Sequence, residues 1–290
     1  MHSSVSKLFV LFLLFVGGNL LTLFILIALM VAQGNSMSES LLLLQGGMEN
    51  MPSGLIRTSV WVQTLATFIL PALAYGLIYH RNQFGEYLGA HKVPTLAVFG
   101  LATLIMIAGY PLVQASYELN RLIPISDWMS TMEQSAMSVM EEILLMDSVW
   151  SLITTLFIVA VLPAIGEELI FRGILQQELG KLFNSKHLGV WLGAILFSAI
   201  HLQFEGFLPR MILGAILGYL YLWTKSIWVP IFVHFLNNGV QVLVLYYSGI
   251  DLSSEELSSD PSPWWGVALG AVILFAASAR LLKIVKPDEQ

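Results

Sequence analysis

Eight apolar runs, each near the length of a membrane-spanning helix, govern what this 290-residue chain can fold into. They cover residues 8–32, 60–79, 93–113, 149–179, 187–203, 207–223, 226–247 and 264–284. Crossing the hydrocarbon core takes about 20 mostly apolar residues, and only helices or closed barrels satisfy their backbone there. The expected fold is all-α: a polytopic membrane helix bundle with about eight transmembrane helices. Composition agrees, with 57% hydrophobic and 11% charged residues, against ~25% charged in an average soluble domain. Cysteine is absent, which removes disulfides, thiolate metal sites and cysteine nucleophiles. A net charge of −6 offers no basic patch for a phosphate backbone, so the expected partner is the lipid bilayer and not nucleic acid.

Details within the runs sharpen this picture. The first follows Lys7, exceeds a signal-peptide core in length, and ends in Met30-Val31-Ala32, a poor cleavage site; it reads as an uncleaved helix. The fourth is too long for one straight span, and Pro163 with Gly166 predicts a kink. The fifth is short and the 203–207 connection tight, which predicts a hairpin with the sixth. Residues 33–58 read as a polar outer loop with an apolar patch at Leu41–Leu44. Residues 126–146 place Met129, Met132, Ala136, Met140, Ile143 and Leu144 at helical spacing, as packing against the bundle or a surface helix would need. The GxxxG pairs Gly189/Gly193, Gly214/Gly218 and Gly266/Gly270 suit close helix approach.

Positive charge orients the spans. With the N-terminus inside, one side holds Lys7, Arg81, Lys92, Lys181, Lys186, Lys225, Arg280, Lys283 and Lys286, and the other only Arg57, Arg121 and Arg210. The positive-inside rule then places both termini in the cytoplasm. Acidic residues including Glu141, Glu142, Asp147, Asp251, Glu255, Glu256 and Asp260 gather outside.

Against this apolar background three polar clusters stand out. Gly166-Glu167-Glu168-Leu169-Ile170-Phe171-Arg172 puts two carboxylates and an arginine inside the fourth run, and ionisable groups at bilayer depth are costly enough to suggest a function. Spacing of four lets Glu168 and Arg172 pair on one helix face, while Glu167 is rotated by about 100° towards another neighbour. The second cluster is Phe197-Ser198-Ala199-Ile200-His201, and the third is His234-Phe235-Leu236-Asn237-Asn238, with His234 and Asn238 on one face. Counted from the cytoplasmic helix ends, Glu167, His201 and His234 fall about 18, 21 and 12 Å deep, close enough to line one cavity.

A carboxylate, two histidines and an amide suit peptide hydrolysis in a partly dry cavity. Burial strengthens Glu167 as a base, a water between Glu167 and His201 could be deprotonated, and His234 and Asn238 could donate to the oxyanion. The same set could instead hold Zn²⁺ through Glu167, His201 and His234, although no compact HExxH-type ligand motif is present. A structural intramembrane ion pair would explain Glu168 and Arg172, and an interhelical hydrogen bond His234 and Asn238, but both leave Glu167 unaccounted for.

The order EExxxR, FxxxH, HxxxN on consecutive membrane helices resembles the CPBP family (CAAX protease and bacteriocin-processing, Abi/Rce1-like) of intramembrane proteases, over about residues 149–240. The resemblance implies that Glu167 and His201 activate water, that His234 and Asn238 stabilise the oxyanion, and that Glu168 and Arg172 organise the site. Compact loops and an acidic outer surface suggest a bacterial inner (cytoplasmic) membrane, where a peptide or membrane-anchored protein is the expected substrate. The chain then divides into N-terminal membrane helices with an outer amphipathic segment (1–148), a catalytic core (149–247), and an outer loop, last span and tail (248–290). The alternative from the same family is a catalytically silent protein acting in bacteriocin self-immunity or as a scaffold. A proton-coupled transporter would also bury Glu, Arg and His, but usually with repeated halves that this chain lacks.

Overall fold

The computed structural model describes residues 3–47, 51–248 and 263–285. Asp251, Glu255, Glu256, Asp260 and Lys286 lie outside the described residues.

Among the described residues there is no strand, and each apolar run becomes a helix. We label them α1 (Ser4–Ala32), α2 (Met37–Gln45), α3 (Gly54–Tyr79), α4 (Leu96–Arg121), α5 (Asp127–Leu144), α6 (Val149–Leu182), α7 (Lys186–Ala199), α8 (Phe207–Thr224), α9 (Trp228–Ser248) and α10 (Trp264–Val285). Seven of them (α1, α3, α4, α6, α8, α9 and α10) are long and apolar enough to cross a membrane, so this is an integral membrane protein. The fifth run forms α7, whose 14 residues reach only about 21 Å of the ~30 Å hydrocarbon core. The eighth helix is thus a short one.

Two segments refine the sequence reading. Part of the 33–58 loop is helical: Ser36 Oγ accepts from Glu39 N at 3.2 Å and Glu39 Oε2 from Ser36 N at 2.7 Å, a reciprocal cap that starts α2. The other is α5. Ile143 is buried, but Trp128, Met132, Met137 and Met140 are exposed, so the apolar stripe is only partly covered by the bundle.

α6 runs unbroken for 34 residues and deforms without ending. Proline lacks an N–H, and its ring crowds the carbonyl four residues earlier. For Pro163 that carbonyl belongs to Val159, inside a π-helical segment, Leu156–Val161, that absorbs the misfit. A second π segment, Leu169–Leu175, follows directly after the carboxylates. In α3 the π turn Leu65–Ile69 precedes Pro71 in the same way.

Glycine sets the helix spacing. A Cβ on Gly270 would meet the Ala108 carbonyl oxygen at 2.6 Å, where α10 lies on α4. Gly214 faces Ala194 and Phe197 across the α7–α8 hairpin, and Gly218 faces Val190 and Gln176. Gly193 and Gly266 have only ordinary contacts. Gly189 is the tightest of the predicted pairs: its Cβ would lie 2.5 Å from the Gln176 carbonyl oxygen and 2.9 Å from the Gly180 backbone. Gly189→Val should therefore push α7 off α6 and cost about 1–3 kcal/mol, read as a lowered unfolding midpoint in detergent.

α1 is a core element. Leu11 packs in one cluster with Phe68, Tyr75, Phe171 and Phe197, and Lys7 lies 3.6 Å from Glu178. Charged side chains gather at the two ends of the bundle. At one end Glu178 gathers Lys7 and Lys181, and Ser226 Oγ donates to the Lys92 carbonyl at 2.6 Å. At the other, Arg57 donates to the carbonyls of Ile143 and Leu145.

Candidate active site

The site grows from one turn of α6. Arg172 Nη1 donates to Glu168 Oε1 at 2.7 Å, the contact that spacing of four allows. Both side chains are sealed, at 0% and 2% exposure, so neither charge has water to solvate it. The remaining guanidinium edge is also used: Nη2 donates to the Gly214 carbonyl on α8 at 2.9 Å. The guanidinium face lies 4.5 Å from the centroid of the Phe197 ring, a cation–π contact.

From α9, His234 Nδ1 meets the same oxygen, Glu168 Oε1, at 2.8 Å. A carboxylate only accepts, so Nδ1 carries the proton and Nε2 points away. Nε2 lies 3.9 Å from Glu167 Oε2, too far for a hydrogen bond. One histidine thus faces both carboxylates through different nitrogens. Glu168 holds two short bonds, whereas Glu167 holds no ion pair within hydrogen-bond distance and its side chain keeps 12% exposure.

His201 sits just past the end of α7, with Nδ1 2.7 Å from the Phe197 carbonyl oxygen. That carbonyl likewise fixes the proton on Nδ1, and a neutral ring presents its lone pair at Nε2. The Phe197 ring makes edge contacts with His201 at 5.2 Å and with His234 at 6.0 Å. Phe197 therefore joins the arginine to both histidines, which is a physical reason for an aromatic residue four positions before His201.

Asn238 is one turn after His234, and its Nδ2 donates to the Val159 carbonyl at 3.0 Å. This is the carbonyl that Pro163 displaces, so Asn238 caps an acceptor the helix can no longer serve. One Asn238 N–H remains for another partner. Asn237 Nδ2 donates to Asn238 Oδ1 at 2.9 Å, and Tyr110 Oη to Asn237 Oδ1 at 2.6 Å, which ties α9 to α4.

Two residues near the site escaped the sequence reading. Asn120, buried on α4, donates to the Phe204 carbonyl at 2.7 Å and accepts from Leu208 N at 2.9 Å. With Ser198 Oγ donating to the Phe207 carbonyl, it pins the connection that follows His201. Asn120→Ala strands two partly buried backbone groups, so we expect a loss of about 1 kcal/mol and faster proteolysis of this loop. Arg210, placed from sequence on the outer side, donates to Gln203 Oε1 at 2.5 Å, two residues past His201. No sequence signal singled out either one, because both depend on how distant helices meet.

Zinc was the cofactor to test. Among the described residues no three His, Asp or Glu side chains converge as metal ligands. Glu167 and His234 do approach each other, but with His201 they do not form a three-ligand set, so the arrangement does not fit zinc.

Fold and site together define a polytopic helical membrane protein with a sealed Glu–Arg–His centre beside a second, freer carboxylate. Residues 149–240, which contain that centre, match the family model Rce1-like, described as type II CAAX prenyl endopeptidase Rce1-like. The chain is 31% identical over 83 residues to the uncharacterized protein YpbD of Bacillus subtilis (strain 168), covering 27% of this chain and 39% of that protein. It is 30% identical over 94 residues to the membrane-embedded CAAX protease MroQ of Staphylococcus aureus (strain USA300), covering 30% and 38%. The chain spans about two fifths of the length of these curated relatives. No solved structure matches it.

Proposed function

We propose that this protein is an intramembrane endopeptidase that hydrolyses a peptide bond in a peptide or membrane-anchored protein. The observation that carries this reading is the unequal treatment of the adjacent carboxylates. Glu168 Oε1 accepts from both Arg172 and His234, its Oε2 staying buried without a partner, while Glu167 faces His234 Nε2 across 3.9 Å with no bond made. A carboxylate held near a histidine but left unbonded suits a base; a purely structural pair needs only Glu168. The Rce1-like match over 149–240 and the name of the relative MroQ support the same class.

In this mechanism Glu167 takes a proton from water, and the hydroxide oxygen forms a bond to the scissile carbonyl carbon. His201 Nε2, its lone pair free, accepts the water's second hydrogen bond and orients it. The tetrahedral oxyanion accepts from the remaining Asn238 N–H. His234 adds a second donation at Nε2 only when both ring nitrogens are protonated. Glu167 then gives its proton to the leaving nitrogen as the C–N bond breaks, and the products are a carboxylic acid and an amine, the acid's proton passing on to the amine. Glu168 and Arg172 position His234 throughout. The membrane assignment is a bacterial cytoplasmic membrane with both termini inside, on the charge distribution. Comparing the proteomes of cells carrying the wild type and Glu167→Gln tests the reading: membrane-anchored precursors should accumulate in the variant. Identical proteomes would favour a catalytically silent role in immunity or scaffolding.

A further inference from the structure

At the lysine-rich end, far along α6 from the carboxylates, lies a cleft of about 550 Å³ that the proposed chemistry does not use. Lys92, Lys181, Lys186 and Lys225 line it, four of the chain's seven lysines, with Glu86 as the one facing carboxylate. Lys181 is paired with Glu178 at 2.7 Å. Among the described residues Lys92, Lys186 and Lys225 make no ion pair.

The cleft is built around these charges. Lys225 caps α8 in the left-handed conformation, φ 52°, where glycine is the usual choice, so a charged side chain is kept at a conformational cost. Gly89, itself at φ 69°, lies against the Lys225 carbonyl so closely that any Cβ would collide with it. The inner wall is fixed as well: Gln177 Nε2 donates to Tyr221 Oη at 2.9 Å, and buried Gln176 donates to the Gly218 carbonyl at 3.0 Å. The rim beyond Lys181 and Lys186 is apolar and exposed, at Leu182, Phe183 and Leu188. A second groove shares Lys92 and Lys225 and continues over Val93, Val98 and Trp223.

Unpaired cations in a formed cleft, bordered by exposed apolar side chains at the ends of spanning helices, match a ligand with a phosphate head and hydrocarbon tails. We propose that this cleft binds the headgroup of an anionic phospholipid, with its acyl chains along Leu182, Phe183 and Leu188. Charge complementarity selects an anion, and the adjoining apolar rim selects a lipid over free phosphate. The site uses neither Glu167 nor His234 and stands independently of the proposed hydrolysis.

Native mass spectrometry of the full chain in detergent, titrated with dioleoylphosphatidylglycerol, dioleoylphosphatidylcholine or inorganic phosphate, tests this. The phosphatidylglycerol should bind at least tenfold more tightly than the phosphatidylcholine, and added salt should weaken it. Lys92→Gln, Lys186→Gln and Lys225→Asn should lower its affinity about fivefold for each lysine removed. These side chains are exposed, and the salt titration of the wild type tests the proposal without any variant. Equal binding of the two lipids, salt-independent binding, or unchanged affinity in the triple variant would overturn it. Displacement of the lipid by inorganic phosphate at equal concentration would overturn the lipid assignment in favour of a free anion.

Discussion

Glu167→Gln should lower peptide cleavage by about 10²–10⁴-fold, the usual contribution of a positioned general base, and leave the fold intact. Glutamine keeps the size of the side chain and removes its basicity. Little structure depends on the charge, because Glu167 makes no hydrogen bond or close ion pair in the site. The unfolding midpoint of the variant should therefore match the wild type, which separates a chemical defect from a structural one. His201→Ala and His234→Ala should also abolish cleavage with the protein still folded in detergent. His234→Ala additionally removes one of the two partners of Glu168, so some loss of stability should accompany it.

Arg172→Ala should have the opposite signature, with activity and stability falling together. The side chain is 2% exposed and satisfies Glu168, the Gly214 carbonyl and the Phe197 face at once. Removing it leaves Glu168 as a buried charge whose only remaining donor is His234. Breaking a buried pair from one side costs about 3–5 kcal/mol, a large share of the stability of most domains. Chemical denaturation in detergent reads this directly. The double change Glu168→Gln with Arg172→Met should be milder than Arg172→Ala alone, since no unpaired charge then stays buried.

The sequence made the bundle legible because a membrane span carries a strong one-dimensional signal, apolar length, and each run became a helix. The Glu168–Arg172 pair was equally legible, since i and i+4 neighbours are fixed by helix geometry. What a single helix could not reveal was the meeting of elements. His234 was grouped with Asn238 because they share a face of α9. In the folded chain His234 turns to Glu168, and Asn238 to Val159, 79 positions away in sequence. Half of the Asn238 contact could have been foreseen: Pro163 frees the Val159 carbonyl, which must find a donor, although nothing names which. Arg210 was placed on the outer side by its position near the start of the sixth run, which cannot show that it reaches back to Gln203. The α2 cap, Ser36 with Glu39, was readable from its spacing and was masked by the polar, glycine-containing stretch around it.

The most direct test uses the purified protein in proteoliposomes, treated exhaustively with chelator and given a membrane-anchored precursor that accumulates in Glu167→Gln cells. Mass spectrometry of the products reports whether and where the chain is cut. The account predicts that chelated wild type cleaves at one site and that chelated Glu167→Gln leaves the substrate whole. Full cleavage by Glu167→Gln, or a wild type that is silent until Zn²⁺ is restored, would contradict it.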